Sequence, residues 1–131
     1  MATVAIVTPI YATPENGRLE LFRPTLKSVL QQGYRDVVHV VVDDGSTDDV
    51  AYFLRAYGDP RVRYLRRERG HSDLKTASNA LNMGIDQCIA GNNGVLSAGE
   101  ARDLVAVTFL HSDDVLTRDS IDRRLLGLNS G

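Results

Sequence analysis

Hydrophobic positions along this chain alternate between two periods. "TVAIVTPIY", Thr3 to Tyr11, is a β-branched run closing on a proline, which predicts a buried strand and its exit loop. From about Phe22 to Gln32 the period lengthens: Phe22, Leu26, Val29 and Leu30 share one helical face, Pro24 suits a first turn and Gly33 a stop. "DVVHVVVDDG" is then nearly unbroken valine, as expected of a strand covered on both faces in a parallel sheet. Gly45 permits a tight turn after it. Ser46 or Thr47 offers a cap, and Asp48 and Asp49 fall in the first turn of a helix that stops near Gly58.

The alternation continues through the second half. "RVRYLRRERG" predicts a short strand with Val62, Tyr64 and Leu65 inward, followed by a polar loop. Lys75 to Ala90 predicts a helix whose apolar face is Ala77, Leu81, Ile85, Cys88 and Ile89, and "AGNNGVLSAGEARD" predicts a mobile surface connection. "LVAVTFL" is the fourth strand and runs into Asp113 and Asp114; "TRDSIDRRLLGL" restarts a helix capped by Thr117. Four strand–helix units imply an α/β fold, a Rossmann-like three-layer α/β/α arrangement with a mainly parallel sheet and right-handed crossovers, in one domain over residues 1–131.

That architecture places ligands outside the carboxyl ends of the strands, where strand order reverses. The polar clusters lie on that edge: Pro9 and Tyr11 after the first strand, Asp43 and Asp44 after the second, Asp113 and Asp114 after the fourth. In a strand order 3-2-1-4 the last pair faces the exit of the first strand. Adjacent carboxylates repel, and burying either one unpaired is costly, so Asp113 and Asp114 are expected to be solvated or to hold a cation. Two other nucleotide or phosphate folds are disfavoured. A phosphate-accepting receiver needs acidic residues after its first strand, where this chain reads "TPIYAT"; a dinucleotide-binding half needs a glycine fingerprint that "VTPIYATPENG" lacks.

Composition narrows the partners. With 131 residues, 43% of them hydrophobic, and a net charge of -2, the chain suits a single core and has no general attraction for nucleic acid or anionic lipid. Its single cysteine, Cys88, reads as the buried side of a helix and cannot form an internal disulfide, which suits a reducing, cytoplasmic setting. No apolar run approaches the roughly 20 residues of a membrane span.

In order, "VAIVTPIY", "FRPTLKSVLQQ", "VVVDDGSTDD", "NALNMGI" and "FLHSDDVL" resemble the nucleotide-sugar half of family 2 glycosyltransferases with the GT-A fold. The resemblance implies a nucleoside diphosphate sugar donor, UDP- or dTDP-linked, bound with Mn²⁺ or Mg²⁺ for inverting transfer to a saccharide, lipid or other acceptor. By position it assigns Pro9 and Tyr11 to the nucleobase and ribose, and Asp43 to a pyrimidine ring N–H, although Asp43, Asp44 and Ser46 also suit a simple turn. Asp113 matches the carboxylate nearest the ribose or sugar, and Asp114 the metal ligand. His111 stands where many members carry a third acidic residue, and Leu81 where many carry arginine before Asn82. Arg66, Arg67, Arg69 and Lys75 are alternative charges for the diphosphate, or a solvated face. The resemblance further implies a truncated donor half, with the catalytic base and acceptor surface outside the chain. The flank of the fourth strand, with Val105 and Phe109, is then exposed and open to self-association. A non-catalytic nucleotide-sugar binding or assembly module would carry the same motifs.

Overall fold

The computed structural model describes residues 2–68, 78–90 and 94–123. Its elements run β1 (Thr3–Ile10), α1 (Arg18–Leu30), β2 (Val37–Asp44), α2 (Val50–Tyr57), β3 (Val62–Arg67), α3 (Ser78–Ile89), α4 (Ala98–Arg102) and β4 (Leu104–Phe109). Among the described residues the strands form one parallel sheet in the order β3-β2-β1-β4. The α/β architecture and strand order expected from the sequence are both present.

Side-chain alternation along β1 and β2 divides the core into two layers. Ala5, Val7, Val38, Val40 and Val42 face α3 and pack with Ala80, Cys88 and Leu96. On the other face, Ile10 and Val41 meet Phe22 and Leu26 of α1 and Phe53 of α2, while Val4 and Ile6 meet Val29, Leu110 and Ile121. The inward stripe of α3 is Ala80, Gly84 and Cys88, small residues four apart, whereas Ile89, expected on that face, is 65% exposed. The reason is the closeness of helix and sheet: a Cβ added at Gly84 would lie 2.4 Å from Val7 Cγ1 and 2.9 Å from Val42 Cγ2. Large side chains do not fit in that contact. Ala77 lies outside the described residues.

Other expectations about boundaries change. Helix α1 begins at Arg18, so Pro24 sits inside it rather than in its first turn. Gly17 enters the helix with φ +60, and Asn16 Oδ1 accepts from Arg18 N at 2.9 Å, which together supply an earlier start. Pro24 faces solvent, where water can satisfy the carbonyl its missing N–H would have met. Gly33 does not end the helix through a positive φ; a Cβ there would approach Asp122 Oδ2 at 3.1 Å, a close contact with a side-chain end. The cap of α2 is Asp49, accepting from Tyr52 N, and not Ser46 or Thr47, while Gly45 and Gly58 take the positive φ their turns need. Thr117 bonds the side chains of Asp119 and Ser120 instead of capping with its hydroxyl.

The stretch expected to be a mobile connection contains α4, started by a capping box between Ser97 and Glu100. Glu100 also receives two hydrogen bonds from Arg63 of β3, at 2.9 and 2.8 Å, and Arg63 Nη1 donates to Val95 O at 2.8 Å. With Leu96 buried beneath it, residues 94–102 form a fastened cover over the sheet. Residues 91–93 of that connection lie outside the described part.

One buried ring interrupts the valines of β2. His39 is completely buried; its Nε2 lies 2.8 Å from Thr8 Oγ1, and its Nδ1 has no partner among the described residues. Charging this ring would place an unpaired N–H in the core, so burial lowers its pKa from 6.5 to about 3. Below pH 6.5 the unfolded chain binds a proton that the folded chain refuses, so stability falls as pH drops. The expected loss is about 2–3 kcal/mol between pH 7 and 4.5. Urea unfolding of His39→Gln, compared with the parent across that range, should show the slope largely abolished; an unchanged slope assigns it to other groups.

Candidate functional site at the carboxyl edge of the sheet

Strand β2 ends in two carboxylates, and alternation sends them to opposite faces. Both are buried, Asp43 at 0% and Asp44 at 3% exposure. The parallel register with β3 pairs Asp43 with Arg66 and Asp44 with Arg67. Arg67 Nη1 donates to Asp44 Oδ1 at 2.7 Å. Asp43 Oδ2 accepts from Arg66 Nη1 at 3.0 Å and from the Tyr64 hydroxyl at 2.6 Å, while its Oδ1 accepts from Ser46 N at 2.9 Å. Burial, and then donation to Asp43, raise the Tyr64 pKa above its ordinary value. Glu68, whose Oε1 accepts from Arg66 Nε at 2.6 Å, is the main cause of the raised Arg66 pKa, with the carboxylate of Asp43 adding to it. The arginines of β3 are therefore counter-ions within the sheet edge, rather than the solvated face their run suggested. Arg69 and Lys75 lie outside the described residues.

The exit of β1 is tied to that of β2. Ala12 N donates to Ser46 Oγ at 2.8 Å, and Ala12 O accepts from Thr47 N and Asp48 N, each at 3.1 Å. Thr13 and Asn16 exchange backbone and side-chain bonds, and Asn16 Nδ2 donates to Tyr11 O at 2.8 Å, closing the loop that carries the Tyr11 ring to the surface. Pro9 explains why the edge opens here. In a parallel strand Val7 and Pro9 point their backbone groups the same way, and Val7 O accepts from Leu110 N of the chain leaving β4. The next backbone position on that side is Pro9, which has no N–H, so pairing with β4 ends and the two strands part.

Asp113 and Asp114 lie on the turn after β4, closed by Asp114 N donating to His111 O at 3.2 Å. Both are exposed. Asp113 Oδ2 is 3.1 Å from Arg18 Nη1 at the start of α1, a partner that sequence spacing did not suggest. The His111 and Phe109 rings meet nearly perpendicular, with centroids 5.7 Å apart. Among the described residues no three His, Cys, Asp or Glu side chains converge into a metal cage. Two exposed carboxylates on one turn fit a different arrangement, a hard cation that keeps its waters and is shared with ligand phosphates.

The structure thus brings Tyr11, the Asp43 cluster and the Asp113–Asp114 turn to the carboxyl ends of β1, β2 and β4. Sequence reading missed Tyr64 and Arg66 as partners of Asp43. Their i,i+2 spacing on one face of β3 was visible, but the register that aligns that face with Asp43 was not. Arg18 carried no signal at all.

The parallel α/β sheet, with acidic turns at the exits of its second and fourth strands, has the GT-A type of fold seen in the glycosyltransferase structures it resembles. Residues 5–128 match Glycosyl transferase family 2, and the chain belongs to that family. A glycosyltransferase of Rickettsia felis is 27% identical over 93% of this chain, and glycosyltransferase GlyG of Streptococcus pneumoniae is 29% identical over 91%. The chain spans only 16% and 33% of those relatives. In fold it resembles TarS of S. aureus, with a TM-score of 0.64 at 14% identity over 98% of this chain and 32% of that one. It also resembles the mannosyltransferase PcManGT of Pyrobaculum calidifontis, solved with GDP-Man and Mn²⁺, with a TM-score of 0.62 at 19% identity over 93% of this chain and 31% of that one. Among the described residues no helix is long and apolar enough to cross a membrane.

Since Ser46 Oγ satisfies the buried Ala12 N–H, Ser46→Ala should destabilise the fold by about 1–3 kcal/mol. Chemical denaturation measures this; a change below about 0.5 kcal/mol would mean that the two exits hold together without the hydroxyl.

Proposed function

We propose that this chain binds the donor of an inverting family 2 glycosyl transfer, a UDP- or dTDP-linked sugar carried with Mn²⁺ or Mg²⁺. The observation that carries the reading is the pairing at the end of β2. Asp43 is an acceptor and Arg66 Nη1, 3.0 Å away, is a donor. Side by side they complement a ring edge bearing an N–H next to a carbonyl, as in uracil and thymine; cytosine and adenine present the reverse. An ionised carboxylate accepts about four hydrogen bonds, and among the described residues Asp43 accepts three. Arg66 is the exposed member of the cluster, with 40% of its side chain accessible.

In this reading Tyr11 stacks on the base, Asp113 approaches the ribose or sugar, and Asp114 contributes an oxygen ligand to the metal. When bound, the cation neutralises charge developing on the departing diphosphate. The chain's own part is to hold the donor: the base against β2, the sugar end against the turn after β4. A carboxylate elsewhere in the protein deprotonates the acceptor hydroxyl, which attacks the anomeric carbon from the face opposite the diphosphate and inverts it. The solved UDP complex of TarS and the GDP-Man and Mn²⁺ complex of PcManGT are consistent with this ligand class for the fold.

Calorimetry with UDP, dTDP, GDP, CDP and ADP, with and without Mn²⁺, tests the reading. UDP and dTDP should bind at least about tenfold more tightly than CDP and ADP, a difference of roughly 1.4 kcal/mol. GDP presents the same N–H and carbonyl pattern; preferential GDP binding would overturn the pyrimidine assignment. Asp43→Asn should weaken UDP more than ADP, and equal losses would return Asp43 to a purely structural part in the turn. Asp114→Ala should remove the Mn²⁺-dependent component of UDP binding with the fold intact; preserved metal dependence would take the ligand role from Asp114.

A further inference from the structure

Helix α1 and the residue just past its cap carry a second buried, polar set that the apolar pattern does not reveal. Thr25, Ser28 and Gln32, at 0%, 9% and 3% exposure, are polar and point away from solvent at i, i+3 and i+7. Each meets the chain that enters or leaves the acidic turn. Thr25 Oγ1 donates to Ser112 O at 3.0 Å, on the residue directly before Asp113. Ser28 Oγ accepts from Leu116 N at 3.0 Å while donating to Thr25 O at 2.7 Å. Gln32 Nε2 donates to Thr117 O at 2.6 Å, and its Oε1 accepts from Ile121 N at 3.1 Å.

Residues 111–119 have neither helix nor strand, so their buried backbone groups need partners from elsewhere. Thr25, Ser28 and Gln32 supply partners at Ser112, Leu116 and Thr117 and, just beyond, at Ile121. The Arg18–Asp113 ion pair adds an exposed contact at the same helix, but screened surface pairs contribute little to position. A buried donor bonded to the carbonyl directly before the acidic pair is a stronger constraint on where the pair lies.

We propose that Thr25, Ser28 and Gln32 are positioning residues that set the backbone of the acidic turn, and with it where Asp113 would meet the ribose or sugar and Asp114 the metal. This rests on the donor-binding reading above. None of the three side chains need touch the ligand. Their effect is expected in the metal-dependent part of binding, because a cation shared between carboxylate and phosphate tolerates small displacements poorly, whereas base contacts at β2 lie on a different element. Loss of a supporting hydrogen bond behind a metal ligand typically costs about 10–100-fold in metal affinity.

The test compares Thr25→Val, which keeps the shape and removes the donor, with Thr25→Ser, which restores a hydroxyl, and with Gln32→Met. UDP binding is measured by calorimetry with and without Mn²⁺, and amide hydrogen exchange is followed over residues 112–121. Thr25→Val and Gln32→Met should weaken the Mn²⁺-dependent component about tenfold or more and change metal-free UDP affinity much less. They should also speed exchange in 112–121 more than in β1 and β2, and Thr25→Ser should return both readouts toward the parent. Parent-like metal dependence in both variants would overturn the proposal, as would exchange that rises evenly throughout the fold. Absence of any Mn²⁺ effect in the parent would instead refute the donor-binding reading, and local exchange would then decide alone whether α1 holds the turn.

Discussion

The structure depends on a constraint at the end of β2: a strand buried on both faces terminates in two carboxylates. Burying such groups without partners costs several kcal/mol each, so the strand can end this way only where cations are delivered to both faces at once. The parallel register with β3 does this, placing Arg66 and Arg67 opposite Asp43 and Asp44. Slipping the register by one residue would put Leu65 or Glu68, instead of an arginine, opposite one of the two carboxylates. The pairing that satisfies the carboxylates also locks the order of the two strands.

The other side of the sheet edge is shaped by the absence of a donor. Pro9 ends the pairing of β1 with β4, and the chain leaving β4 turns across α1 instead of continuing beside β1. A gap at this point is what a parallel α/β fold uses to admit a ligand, since strand order reverses about β1. Rigid elements border it on each side. The Asp43 cluster is fixed by β3 and by the Ser46 turn, and the acidic turn is fixed by α1, so the polar groups are held before any ligand arrives. Preorganisation of this kind reduces the ordering cost of binding.

The exposed flank of β4 contrasts with this order. Val105 and Phe109 are about half exposed, as expected from the sequence, and Val115 beyond them is 61% exposed. At Val105 the pairing with β1 shifts, since Thr3 aligns with Leu104 and Val4 with Ala106. A bulge there twists the edge strand and makes it a poorer template for further pairing.

Much of this fold was legible in the order of residues because periodicity is a local property. Unbroken valine in β2, the β-branched run of β1 and the apolar face of α1 announced covered strands and their crossovers, and the resemblance of five motifs to family 2 glycosyltransferases pointed to the carboxyl edge. The errors arose where a local pattern had two readings. Pro24 suits a first turn, but the earlier start of α1 rests on Gly17 and Asn16; Ile89 falls on the apolar side of a helical wheel, which does not show the closeness enforced at Gly84. The capping box at Ser97 and Glu100 was readable but lay within a glycine- and asparagine-rich stretch. What the sequence by itself determined was the set of elements and which strand ends carry carboxylates. Only the tertiary structure decided which cations neutralise Asp43 and Asp44, that Arg18 meets Asp113, and that Thr25, Ser28 and Gln32 hold the acidic turn. Those choices depend on register and on contacts between residues up to 89 positions apart, such as Gln32 and Ile121, and no local pattern encodes them.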